Sequence, residues 1–137
     1  MKKYTSFLFL SLFCLMCFSC SQNLRKISPP IEDVLHHGPL SKILVYKGNV
    51  ALGQTGANAE GMTLNIGGTA VLSAQGRDIN NRPIEIQPKW TTSKPEIIKI
   101  NPDEGDIVSI HGLREGTAEI VVEFQGVKST VEYIFVK

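Results

Sequence analysis

Residues 117–136 constrain the fold of this chain more than any other stretch. From Thr117 to Phe124, Ala118, Ile120, Val122 and Phe124 fall on one face, and Glu119, Val121, Glu123 and Gln125 on the other. A period of two places successive side chains on opposite sides of an extended backbone, which is the pattern of a half-buried strand. Gln125-Gly126 follows as a turn, and Val127–Val136 supplies a second β-rich run that closes the sheet.

Shorter runs of the same kind precede this hairpin. Lys42–Tyr46, Met62–Ile66, Ala70–Ala74, Ile84–Thr91, Ile97–Ile100 and Ile107–His111 read as strands. Gly48–Gly61 lies between the first two as a long loop or ragged edge, Gly67-Gly68 is a turn, and Gly76–Pro83 is a loop. Pro88 inside the Ile84–Thr91 run predicts an edge strand or a bulge, because proline cannot donate to a ladder. No segment shows a convincing amphipathic helical period. Roughly seven short strands separated by turn signals predict an all-β domain, a sandwich of two sheets.

Such a core has no disulfide to brace it. The three cysteines, Cys14, Cys17 and Cys20, all lie within the first 20 residues, so no disulfide framework or thiolate metal site forms in the β region. Trp90, the one tryptophan, is the large apolar wedge suited to the space between the sheets, with Leu72, Ile120 and Val122 around it. Gly112 and Gly116 are read as permitting a tight turn with positive φ before the Thr117 strand.

The N-terminus is an export signal. Met1-Lys2-Lys3 is a short basic region, and Phe7–Phe18 is an apolar run of 12 residues, well under the roughly 20 that a spanning helix needs. It ends at Ser19-Cys20 and gives way to Ser21-Gln22-Asn23. A small residue, a cysteine and then polar residues resemble the cleavage site of a bacterial lipoprotein. The resemblance implies cleavage before Cys20 and a lipid on its sulfur. Cys17 and Phe18 stand where such signals usually carry Leu and a small residue, so an ordinary secretory signal is the competing reading. On the lipoprotein reading, residues 1–19 are the signal peptide, 20–40 the lipidated cysteine and a tether, and 41–137 the folded domain. Ser28-Pro29-Pro30 and Gly38-Pro39 suit an extended tether, within which Ile31–His37 can form either a helical turn or a first strand.

From Met62 onward the motifs resemble those of the bacterial immunoglobulin-like domain group 2, found in intimin- and invasin-like surface proteins. Leu64, Gly67-Gly68-Thr69 and Leu72-Ser73-Ala74 are similar to its opening L-x-x-G-x-T-x-x-L-x-A. Trp90-Thr91-Thr92-Ser93-Lys94-Pro95-Glu96-Ile97 is similar to its W-x-S-S-x-P-x-V stretch, and Gly112–Ile120 to its G-x-x-x-G-T-A-x-I ending. The resemblance spans about Ser41–Val136 and implies an immunoglobulin-like β-sandwich. Two loops, Gly48–Gly61 and Asn101–Asp106, are longer than the family pattern.

Charge and motifs exclude several functions. The chain carries 14 basic and 13 acidic residues, and loss of Lys2 and Lys3 with the signal leaves 12 basic against 13 acidic. That balance gives no electrostatic reason to expect nucleic acid or an anionic membrane surface as a partner. No G-x-S-x-G, H-E-x-x-H or P-loop is present, the carboxylates are scattered, and nothing calls for a cofactor. Asp103, Glu104 and Asp106 are candidate oxygen ligands for Ca²⁺, although the D-x-D-x-D-G loop is missing and a solvated hairpin turn explains them better. His36-His37 lacks a third ligand, and His111 sits at a strand end.

The expected protein is non-enzymatic: exported, lipid-anchored to the outer membrane or cell surface, and binding an unidentified protein or glycan as an adhesion module. A periplasm-facing spacer or accessory subunit of an envelope complex is the alternative, which a single domain suits.

Overall fold

The computed structural model describes residues 37–137. The signal peptide, Cys20 and the tether through His36 lie outside the described residues. Among the described residues there are nine strands: β1 (Leu40–Lys47), β2 (Thr63–Leu64), β3 (Thr69–Asp78), β4 (Pro83–Ile84), β5 (Lys89–Thr92), β6 (Ile98–Asn101), β7 (Ile107–Gly112), β8 (Gly116–Phe124) and β9 (Val127–Val136). Seven have four residues or more, and β2 and β4 have two each.

They form two sheets. One has the order β1-β3-β7-β6, with β4 continuing the β7 side of β3; the other has the order β2-β9-β8-β5. Every pairing is antiparallel except β2 with β9, where Thr63 and Leu64 run parallel to Phe135 and Val136. Two sheets closed face to face over one core make an immunoglobulin-like β-sandwich.

The inward faces supply that core. Leu72, Ile98, Ile110, Ile120, Val122 and Ile134 are fully buried, and Trp90 is 1% exposed. The alternation along β8 appears directly in the burial, with Ala118, Ile120 and Val122 inside and Glu119 and Glu123 outside. At the hairpin, Gln125 and Gly126 both take positive φ, 50° and 81°, which matches the twist of the flanking strands.

Three boundaries differ from the sequence-based expectation. The run Ile84–Thr91 is two strands in different sheets: Ile84 pairs with Gly76 in one sheet, whereas Lys89–Thr92 pair with Ile120–Glu123 in the other. Gln87-Pro88 lies at the crossing, where a residue without an N–H loses nothing, and β5 becomes the edge strand that Pro88 predicted. Strand β3 continues through Gly76 to Asp78, where a loop was expected, because β1 and β4 flank Gly76 and Arg77 on both sides. Met62–Ile66 contracts to Thr63–Leu64, since only these two meet the end of β9.

Candidate functional site

Strand β3 is buried on both faces from Leu72 to Asp78. One face, with Leu72 and Ala74, enters the core. The opposite face carries Ser73, Gln75 and Arg77, polar side chains that are 2%, 3% and 9% exposed. What covers Ser73 and Gln75 is the long loop after β1. The Gln75 amide donates to the carbonyls of Ala51 at 2.8 Å, Val50 at 3.3 Å and Gln54 at 3.4 Å, and its oxygen accepts from the Gly53 N–H at 3.0 Å. Ser73 Oγ accepts from the Val50 N–H at 3.2 Å. The Gly48–Gly61 segment is therefore a strap fastened across the outside of the sheet. Its far end joins the β1 edge, where Lys47 N–H donates to the Ala57 carbonyl at 2.8 Å.

The strap tip, the β3–β4 turn and the start of β1 meet at one pole of the domain. Asp78, 2% exposed, organises it. One carboxylate oxygen accepts from the N–H groups of Arg82 at 2.7 Å and Asn80 at 2.8 Å, and the other from Gly38 N–H at 3.0 Å. Burial alone would raise the Asp78 pKa; the Arg82, Gly38 and Asn80 N–H groups and the Arg82 charge outweigh it and hold the carboxyl below its ordinary 3.8. The chain thus enters the domain at Gly38, three residues ahead of the boundary expected at 41.

The acidic turn before β7 serves the backbone. Asp103 carbonyl accepts from Trp90 N–H at 2.7 Å, Asp106 carbonyl from Ala74 N–H at 2.7 Å, and Gly105 carbonyl from the Trp90 indole at 2.8 Å. These bonds tie the β5 edge to the opposite sheet. Among the described residues no three His, Cys, Asp or Glu side chains gather as metal ligands, and Asp103, Glu104 and Asp106 do not converge on one point. His111 Nδ1 lies 2.9 Å from Thr69 Oγ1 across the β3–β7 pair, the one side-chain hydrogen bond its ring makes among the described residues.

Leu72, Trp90, Ile120 and Val122 are core residues at 0–1% exposure. The two glycines act differently from one another. Gly116 has φ +149°, and a Cβ there would meet Ile97 Cδ1 at 2.5 Å. Gly112, expected to need positive φ, does not take it; a Cβ there would meet the Asn65 carbonyl at 2.7 Å. Close backbone approach, with Gly67 N–H donating to the Gly112 carbonyl at 2.8 Å, is its requirement.

An open groove of about 320 Å³ runs between β1 and β9, lined by residues that include Ile43, Val45, Asn58, Glu60, Thr130 and Val131. Its lining holds neither a His nor a Cys; its one carboxylate, Glu60, accepts from the Asn58 amide at 3.1 Å. The strap, the buried Gln75 and the Asp78 turn escaped sequence reasoning. The signal available was a strand whose polar face is Ser, Gln and Arg, preceded by a long Gly- and Ala-rich loop.

No family model matches the chain, and no curated protein matches it. Solved structures of similar shape do exist. Domains 4–9 of the surface layer protein SbsC align over 72% of this chain at 18% identity, with a TM-score of 0.53. Domains 4 and 5 of the S-layer protein SbsC align over 67% at 15% identity, with a TM-score of 0.48. The chain spans 14% and 53% of those two chains, respectively. At 18% identity the likeness to domains 4–9 shows a shared fold.

Proposed function

We propose that this protein is a lipid-anchored module of the bacterial cell envelope, displayed at the surface, that binds a protein or glycan without catalysis. The observation that carries the reading is the union of two features: an export signal that ends at Cys20, and a closed β-sandwich whose shape is shared with domains of a surface layer protein. The ordered motifs around Gly67, Trp90 and Gly116 support membership of the bacterial immunoglobulin-like group 2. The non-catalytic reading rests on the side chains themselves. Polar groups on the outside of the first sheet fasten the strap, those of the acidic turn hold the two sheets together, and the carboxylate of the β1–β9 groove, Glu60, is bonded to Asn58. Several acyl chains at ~0.8 kcal/mol per buried CH₂ anchor a protein stably, so Cys20 suffices to hold the domain at a membrane.

Labelling intact cells with a membrane-impermeant amine reagent tests display. Modification of exposed lysines such as Lys99 before lysis supports the surface reading. Modification only after the outer barrier is opened rejects it and leaves the periplasm-facing spacer.

A further inference from the structure

The outward face of the β2-β9-β8-β5 sheet carries a backbone outlier that packing does not explain. Between the pairs Ala118–Ile134 and Ile120–Val131 the register of β8 on β9 slips, so Glu119 alone stands opposite both Glu132 and Tyr133. Tyr133 takes φ 57° in this bulge. The left-handed residue of a bulge is ordinarily glycine, because a bulky side chain is strained in that conformation. A buried aromatic ring offsets such strain through its contacts. Tyr133 is 59% exposed and does not. Strain kept at an exposed side chain points to a functional position.

The bulge turns this ring onto a face that holds a second one. Val131 and Ile134 point into the core, Glu132 and Tyr133 lie between them on the outside, and Phe135, two residues beyond Tyr133, is 42% exposed. Thr117 stands opposite Phe135, and Val121 continues the outward side of β8. Glu119 and Glu132 border the rings, both exposed. Among the described residues neither meets a cation, the one ion pair being Lys128–Glu123. The register therefore presents two aromatic rings, two carboxylates and a threonine hydroxyl together on one flat sheet.

We propose that this face binds a neutral glycan, its pyranose rings stacking on Tyr133 and Phe135 while Glu119, Glu132 and Thr117 bond its hydroxyls. The proposal rests on the reading of the domain as a non-catalytic binding module and names the partner. Two observations select that partner. At ~200 Å² for a whole aromatic side chain, the exposed parts of the two come to about 200 Å². A stable protein interface buries ~800 Å² per partner, more than half of it apolar, so a second copy or another protein finds too little here. A sugar ring is of the right size, and its chemistry is complementary. Its faces carry C–H groups that stack on aromatic rings, and its rim carries hydroxyls that donate to carboxylates and exchange hydrogen bonds with a threonine.

The test titrates cellohexaose and chitohexaose, whose equatorial substituents leave C–H groups on both ring faces, into the mature protein in detergent micelles, followed by amide NMR. Saturable shifts at 117–121 and 132–136, with none at 107–111 of the other sheet, are the expected result. Tyr133→Ala and Phe135→Ala each weaken binding about tenfold, the loss when roughly 60 Å² of ring face no longer leaves water. Tyr133→Gly removes the ring and the strain together, so its thermal midpoint equals or exceeds that of wild type while its affinity falls as for alanine. A midpoint below wild type, full affinity in that variant, or no saturable shift with either sugar overturns the proposal. Photo-crosslinking on intact cells, with Phe135 replaced by p-benzoylphenylalanine, separates the two levels. A carbohydrate-bearing adduct supports the glycan; a protein adduct overturns it and keeps the module as a protein binder; no adduct of either kind rejects the binding module itself.

Discussion

Replacing Gln75 with alanine tests whether the Gly48–Gly61 segment is a fastened strap or a free loop. Gln75 is 3% exposed and makes four polar contacts with the strap. Two have good geometry, to the Ala51 carbonyl at 2.8 Å and from the Gly53 N–H at 3.0 Å; the other two, at 3.3 and 3.4 Å, add little. At about 0.5–1.5 kcal/mol net per bond the pair contributes ~1–3 kcal/mol. Water reaches the released strap groups, so the expected loss is about 2 kcal/mol and not the full cost of buried unpaired groups. Urea titration reads the global part of this loss, and hydrogen exchange reads the local part. The Gly53 amide of the variant exchanges about thirtyfold faster than wild type, the factor that corresponds to ~2 kcal/mol of local opening, while amides of β8 change only as far as global stability falls. Unaltered Gly53 exchange, with a midpoint within error of wild type, would show that the strap is held by something other than Gln75.

Three further outcomes follow from other contacts of the domain. Trp90→Ala lowers unfolding free energy by ~3–5 kcal/mol, the range for emptying a buried aromatic site. Trp90→Phe costs less, about 1–3 kcal/mol, mainly because the Gly105 carbonyl loses its 2.8 Å indole bond; equal denaturation midpoints for wild type and Trp90→Phe would refute a role for that bond. Asp78 has a depressed folded-state pKa, so its contribution is fully present above its unfolded value and is lost as pH falls through the lower folded value. The stability gap between wild type and Asp78→Asn, measured by thermal unfolding, is therefore constant from neutral pH down to about 4 and shrinks in more acid solution; a gap that widens on acidification contradicts the reading.

Periodicity disclosed the strands whose two faces differ in chemistry. Thr117–Val136 is legible because Ala118, Ile120 and Val122 face a core while Glu119 and Glu123 face water. The β4–β5 break was hidden because Ile84, Ile86 and Trp90 keep apolar side chains inside across the sheet change, so the pattern continues while the backbone partners switch. Parallel pairing of β2 with the chain's last strand is a contact between distant segments that local spacing does not encode. The outer face of β3 misled for another reason. Ser73, Gln75 and Arg77 are the residues of a solvated face, and the strap, held through its own main-chain groups, covers Ser73 and Gln75. The acidic turn was legible as a turn, whereas its attachment to Trp90 and Ala74 runs through main-chain groups that no side-chain pattern reports. Gly112 was singled out correctly as a position that excludes side chains, but for a turn geometry in place of the close carbonyl that requires it.

The central claim is that export ends with a lipid on Cys20 and a β-sandwich held at the membrane. The intact mass of the mature protein isolated from cell membranes tests it most directly. The account predicts a chain that begins at Cys20 and is heavier than its amino acids by a diacylglyceryl group, with or without a further acyl chain, and predicts that Cys20→Ala abolishes the increment. An unmodified chain, or one that begins at any other residue, contradicts it.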